Sequence, residues 1–242
     1  MKLALVTGGH RRLGAAISAR LARDGWTLAI HGARDATPDA ALAAVLGDWH
    51  GFVADLSDSD AVAGLLPAVI AHFGAAPSLL VNNASMFEWD DAATVTTSAL
   101  AAHHAVNAYA PVALAMAMSQ AGARGSIVNI LDQRVRNPVA DQLSYSLSKA
   151  ALAGMTRTLA VNLAPRLRVN AVAPGLTLPT ADYDEVQMAR LAGAMPLGVL
   201  PQPADIAGAV AYLADASAIT GQILFVDGGA SLKSFDRDFV FM

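Results

Sequence analysis

The sequence predicts an α/β fold built on a doubly wound, parallel sheet of about seven strands. Three observations carry this expectation. Apolar runs of strand length recur along the chain, each closing in a glycine or polar turn. Segments of helical composition separate them, and regular alternation of strand and helix produces crossovers and therefore parallel pairing. Hydrophobic residues fill 55% of the 242 positions and charged residues only 15%, enough apolar surface to bury a sheet on both faces. No internal repeat or low-complexity linker interrupts the pattern, so residues 1–242 are expected to form a single domain.

The first strand is Leu3 to Val6. It closes in Thr7-Gly8-Gly9, followed by His10-Arg11-Arg12-Leu13-Gly14 and a helical pattern from Ala15 to Arg23. Such a turn lets the backbone approach a pyrophosphate and aims the helix N-terminus at it, although an ordinary glycine-rich turn reads the same. Thr27 to His31 is the second strand, and its end is where a dinucleotide enzyme reads the adenosine ribose. The residues there are His31-Gly32-Ala33-Arg34-Asp35. Arg34 can meet a 2′-phosphate, joined by Arg11 or Arg12, whereas the Asp35 carboxylate would repel one; an exposed Arg34 and Asp35 sharing a loop is the plainer alternative.

The run Phe52-Val53-Ala54-Asp55-Leu56 gives a third strand ending in an acid. Asp55 suits an adenine amino group or, alternatively, starts the helix Ser57 to Phe73. Ser78 to Val81 leads into Asn82-Asn83-Ala84-Ser85-Met86-Phe87, where two amides after a buried strand need partners, so the loop should be ordered against a ligand or a neighbouring strand. Phe87 is either a wall of that site or core. Ser98 to Ser119 reads as one long helix with Asn107 in its interior, where a buried amide again needs partners. Ser126 to Leu131, Leu167 to Val172 and Ile223 to Val226 complete the strands, with helices at Asp141 to Ala164 and Pro203 to Ala214. Pro174-Gly175 ends the sixth strand. Residues 176–197, with Pro179 and Pro196 around a short helical stretch, fit a mobile lid or substrate loop. The tail 231–242 carries Phe235, Phe239 and Phe241, which should be covered, and another subunit is the expected cover.

A net charge of -4 provides no basic field for nucleic acid. With no cysteine and six histidines outside zinc-type spacing, no metal site is expected. The opening residues MKLALV run straight into the glycine turn, and the long apolar helices are interrupted by Asn, Pro and Gly, so neither a signal peptide nor a membrane span is expected and the chain should be cytoplasmic.

The stretch Gly125 to Ala151 concentrates the chemistry. Tyr145 and Lys149, four apart on a helix, rise from one face about a turn from each other. An ammonium beside a phenol lowers the phenol's pKa, making Tyr145 a usable proton donor and acceptor near neutrality. Asp132 follows a buried strand, at the strand end where open α/β sheets place their sites. A shared, solvated helix face is the usual reading of Tyr-x-x-x-Lys alone, so the surroundings decide.

Taken in order, TGGHRRLG, Asp55, NNAS, Asn107, YSLSK and APG resemble the short-chain dehydrogenase/reductase family along nearly the whole chain. The resemblance implies a Rossmann-type fold, NADPH as cofactor, and catalysis by Asn107, Tyr145 and Lys149, with Lys149 also holding the cofactor ribose. It further implies cofactor contacts at Gly8, Arg11, Arg12, Leu13, Gly14, His31, Arg34, Asp55, Leu56, Asn83, Ala84, Ser85, Tyr145, Lys149, Pro174, Gly175, Leu176 and Thr177. Two departures, Asp132 where most members have serine and Arg12 where they have glycine, together with NNASMF and APGLT, look like the pteridine reductase branch. By similarity the substrate is a pterin, contacted by Arg12, Ser85, Phe87, Asp132 and Tyr145, and the assembly a homotetramer.

Physical chemistry gives the same direction for Asp132. A carboxylate about 4 Å from the oxyanion that grows in carbonyl reduction would cost about 4 kcal/mol at an effective dielectric near 20. A pterin instead presents N–H donors to it and a C=N bond to be reduced. A ketone reductase of the same family is the alternative enzyme. A non-catalytic NADPH-binding sensor is a third reading, which the intact proton machinery opposes.

Overall fold

The computed structural model describes residues 2–179 and 183–241. Seven strands form one sheet: β1 (Leu3–Thr7), β2 (Thr27–Gly32), β3 (Trp49–Val53), β4 (Leu79–Asn82), β5 (Gly125–Ile130), β6 (Leu167–Pro174) and β7 (Ile223–Val226). All pairs are parallel, in the order β3-β2-β1-β4-β5-β6-β7. The order reverses between β1 and β4, and the crevice that opens there at the C-terminal strand ends is where such sheets hold ligands.

Eight helices connect the strands among the described residues: α1 (Arg12–Arg23), α2 (Ala40–Ala43), α3 (Ser59–Phe73), α4 (Thr97–His104), α5 (Ala110–Gln120), α6 (Leu143–Asn162), α7 (Glu185–Ala194) and α8 (Pro203–Asp215). Strand side chains alternate between faces. On one face Val6, Ile30, Val128 and Val172 pack against Ile17 and Leu21 of α1 and Ile206 and Val210 of α8. On the other, Leu5, Leu80, Ile127 and Val169 meet Leu66 of α3, Leu114 and Met118 of α5 and Leu159 of α6. Both layers are buried, and each such side chain contributes about 1.5–3 kcal/mol by leaving water.

Three of the expected elements differ. The third strand begins earlier and stops at Val53, leaving Asp55 in the turn ahead of α3. The expected helix 98–119 is broken by a π-turn at Ala105–Tyr109, which widens the coil by one residue and turns Asn107 inward. The short helical stretch expected within 176–197 is α7; residues 180–182 lie outside the described residues. The third difference is the tail, whose cover is largely the chain itself. Phe239 is buried with Leu191 and Met195 of α7, and Phe235 packs edge-on to it at 4.9 Å. Gln187 donates to the carbonyls of Phe239 and Val240 at 3.2 and 3.0 Å, while Arg237 pairs with Asp141 at 3.0 Å. Only Phe241 stays half-exposed, edge-on to Trp89 at 5.2 Å. Met242 lies outside the described residues. None of the described helices is long and apolar enough to cross a membrane.

Candidate active site

A cleft of about 1380 Å³ runs across the C-terminal ends of β1, β4 and β5. Every residue expected to contact cofactor or substrate lines it, and Asn107 alone among the expected site residues does not.

At one end lies the glycine turn. Gly8 has φ 61°, and a side chain at Gly14 would put its Cβ 2.0 Å from the Gly8 carbonyl oxygen, so both positions need glycine. Asn83 fixes the turn from beneath: its side-chain amide donates to the carbonyls of Thr7 and Gly8 at 2.9 and 3.2 Å. The amides of Asn83 and Ala84 donate to the Thr7 hydroxyl at 2.9 and 3.0 Å. Asn82 reaches sideways to Asn129 at 2.8 Å, and Asn129 reaches Thr156 of α6 at 2.9 Å. The adjacent asparagines therefore serve the turn and the neighbouring strand.

His31 lines the cleft and braces the turn. Its Nδ1 accepts the Gly8 amide at 3.3 Å and its Nε2 donates to the Ala54 carbonyl at 2.8 Å, while burial holds the ring neutral by lowering its pKa. Arg11, Arg12 and Arg34 are exposed in the cleft. Asp35 folds onto its own loop, where the hydroxyl and amide of Thr37 hold its carboxylate below the usual range. Asp55 likewise takes the Ser57 amide at 2.9 Å and hydroxyl at 2.7 Å, which lower its pKa. His10 went unnoticed in the sequence. Its ring fits against Gly32, and its buried Nδ1 has no partner in the protein. Exposed arginines, an unpartnered imidazole nitrogen and a helix N-terminus together suit a phosphorylated dinucleotide.

The other end holds the expected proton site. The Tyr145 hydroxyl donates to Asp132 Oδ2 at 3.1 Å, and Phe87 stands edge-on to the Tyr145 ring at 4.8 Å. Lys149 is buried and spends one donor on the Ile130 carbonyl at 2.9 Å. Burial pulls its ammonium down to about 8, partly opposed by Asp132. The phenol shows the opposite of the expected shift: burial, then the Asp132 charge, push it well above its ordinary value. Lys149 lies 5.7 Å from the ring centre, and the cation that eases phenol ionisation is Arg134.

Asn107 lies beneath the cleft with its side chain engaged. Its Oδ1 accepts the Met86 amide at 2.7 Å and the Ser85 hydroxyl at 3.2 Å, and its Nδ2 donates to the Met86 carbonyl and the Ser148 hydroxyl, both at 2.9 Å. With its side chain fully satisfied and buried, it ties the loop beside Phe87 to α6.

Sequence reasoning missed Arg134, Gln142, Trp89 and Asp238. Arg134 donates to Gln142 Oε1 at 2.6 Å and pairs with Asp238 of the tail, 104 residues away. Burial works against its charge, yet Asp132 and Asp238 more than offset this and raise its pKa. An arginine two residues past Asp132 was the available signal; the tail carboxylate had none.

Comparison with known proteins bears on this cleft. Residues 9–231 match the family model described as enoyl-(acyl carrier protein) reductase. The chain is 39% identical to FolM alternative dihydrofolate reductase 1 from Brucella canis, solved in complex with NADP, covering 96% of this chain and 94% of that one with a TM-score of 0.87. A short-chain dehydrogenase/reductase from Serratia marcescens is 33% identical over 95% of this chain and 98% of its own, with a TM-score of 0.85. Cis-4-hydroxycyclohexanecarboxylate dehydrogenase of Sinomonas cyclohexanicum is 34% identical, covering 94% of this chain and 96% of its own. With the glycine turn, the parallel sheet and the Tyr145–Lys149 pair in one cleft, these likenesses place the chain in the short-chain dehydrogenase/reductase family, as an oxidoreductase.

Proposed function

We propose that the chain is an NADPH-dependent reductase of a dihydropterin, delivering hydride to a C=N bond. The observation that carries this reading is the Tyr145 hydroxyl bonded to the Asp132 carboxylate at 3.1 Å, with the Phe87 ring beside it. NADPH, when bound, supplies the hydride. The chain would hold it through the helix N-terminus at the glycine turn, through Arg11, Arg12 and Arg34 around the adenosine phosphates, and through the Lys149 ammonium at a ribose. The NADP in the Brucella canis relative supports the phosphorylated cofactor.

For the substrate, Asp132 accepts the amino and ring N–H groups of a pterin, and Phe87 offers a face for its ring. Tyr145 hands its proton to the nitrogen that receives charge as hydride arrives, and burial keeps the phenol protonated until that demand appears. Phe87, Trp89 and Phe241 form an aromatic wall at this end of the cleft, each ring about half exposed.

NADPH oxidation measured against dihydromonapterin, dihydrobiopterin, dihydrofolate and a ketone panel tests this. The expected result is turnover of a dihydropterin above every ketone, and NADPH preferred to NADH. Ketone turnover alone would assign the chain to alcohol and ketone chemistry, like its Sinomonas relative. NADPH binding without turnover would leave the sensor reading, and an NADH preference would make Asp35 a ribose ligand.

A further inference from the structure

We propose that the C-terminal tail is a working part of the proton site: Asp238, acting through Arg134, is a positioning residue that sets how the Asp132 carboxylate meets the Tyr145 hydroxyl. The inference rests on Tyr145 being the proton donor of the reductase.

The Asp132 carboxylate is divided between two partners. Its Oδ1 takes the Arg134 backbone amide at 2.8 Å and its Oδ2 takes the Tyr145 hydroxyl at 3.1 Å. The Arg134 guanidinium stops 3.9 Å from that same Oδ2, beyond a tight pair, because its two ends are held elsewhere. Nη1 is bound to Gln142 Oε1 at 2.6 Å and Nη2 to Asp238 Oδ2. Those anchors keep the cation near the phenol without letting it collapse onto Asp132. Asp238 is itself immobilised: its side chain is fully buried, its amide donates to Asp141 at 2.7 Å, and its Oδ1 takes the Val240 amide at 3.0 Å. A buried ion pair is tolerated only when its remaining polar atoms are satisfied, and here the partners come from the tail, the Asp141 loop and the start of α6.

Three charged groups bear on the Tyr145 hydroxyl: Asp132 after β5, Arg134 in the 3-10 turn Gln133–Val135, and Asp238 on the tail. Lys149 on α6 lies 5.7 Å from the ring centre, and Tyr183 before α7 faces Arg134 and Asp238. Glu88 and Arg12 line the cleft as well. Arg134 favours the phenolate, whereas Asp132 and Asp238 disfavour it. The two members of the tail pair therefore push the phenol in opposite directions. A latch that only tethers the tail would push it in neither.

The test compares Asp238→Asn, Arg134→Met and Arg134→Lys by the pH dependence of kcat/KM for dihydropterin reduction, with NADPH affinity by fluorescence titration and melting temperature alongside. Reduction needs the protonated phenol, so activity falls as pH rises through its pKa. Asp238→Asn should move that limb to lower pH and Arg134→Met to higher pH. Arg134→Met should also lower kcat/KM by roughly ten- to a hundredfold, the cost of a slightly misplaced catalytic group. Arg134→Lys should recover part of it, and NADPH affinity should hold throughout. Melting temperatures that drop while the limb stays fixed would reduce the pair to a latch and overturn the proposal. Should Arg134→Met fail to fold, an unmoved limb in Asp238→Asn overturns it alone. Inactivity on dihydropterins would sink the substrate reading only; the same shifts are then read with a reduced ketone, or without substrate as tyrosinate absorbance against a matched Tyr145→Phe background.

Discussion

At the glycine-turn end of the cleft, Gly8, His10, Arg11, Arg12 and Gly14 lie within one short stretch, and the backbone itself forms the site. At the other end Arg134 and Asp238 meet across 104 residues, and the wall is made of side chains from four loops and the tail. The first kind of site depends on local conformation and tolerates little change in shape. The second depends on tertiary placement, and single side chains there tune chemistry while the fold survives. The two ends should therefore separate by mutation, substrate-end changes leaving cofactor binding intact and turn changes reaching the cofactor first.

The largest expected effect is that of Tyr145→Phe, which should cut kcat by roughly a hundred- to ten-thousandfold, the usual contribution of a placed general acid. NADPH affinity, measured by fluorescence, should fall far less than kcat, since Tyr145 is one cofactor contact among many; a parallel loss of binding would mean that the two ends are not separable. Next is Asp132→Asn, which keeps size and removes the anion, at a cost of about 1.5–3 kcal/mol in dihydropterin kcat/KM. Asp132→Ser should let ketone reduction appear or rise as pterin reduction falls. If both variants retain full pterin activity, Asp132 is a structural loop residue.

Gly14→Ala tests the opposite end. Its new Cβ would sit 2.0 Å from a backbone oxygen, so the turn must open, at roughly 1–3 kcal/mol of stability and with weakened NADPH binding. A variant with wild-type melting and affinity would show that the turn is more pliable than its geometry implies. The smallest change is Phe87→Ala. Loss of an aromatic contact worth about 0.5–1.5 kcal/mol should raise the pterin KM severalfold and leave NADPH affinity alone. A fall in stability with unaltered kinetics would make Phe87 a packing residue.

This contrast also governs what could be read from the sequence. The alternation of strands with helices and the glycine turn were legible because continuous apolar runs and glycine spacing are local signals, and the need for amide partners at Asn82, Asn83 and Asn107 followed from desolvation alone. Which partners they find is tertiary: Asn107 turns to Met86 and Ser148 because of a π-turn that composition does not announce. The phenol's shift was misjudged because helical spacing placed Lys149 near Tyr145 but could not show that burial outweighs it or that Arg134 stands closer in effect. The tail's aromatic residues announced a need for cover, and only the folded chain shows that α7 and the cleft provide it.

Arg12 sits in the left-handed region at φ 51°, a conformation that glycine adopts freely and an arginine holds at about 1–2 kcal/mol. Arg12→Gly should thus raise the melting temperature by a few degrees in a chain of this size, while removing a cation from the cleft. Thermal endurance and ligand contact are set against each other at a single codon. A thermostability screen run without cofactor would select the glycine, and the enzyme it returned would be hardier and less able to grip a phosphate.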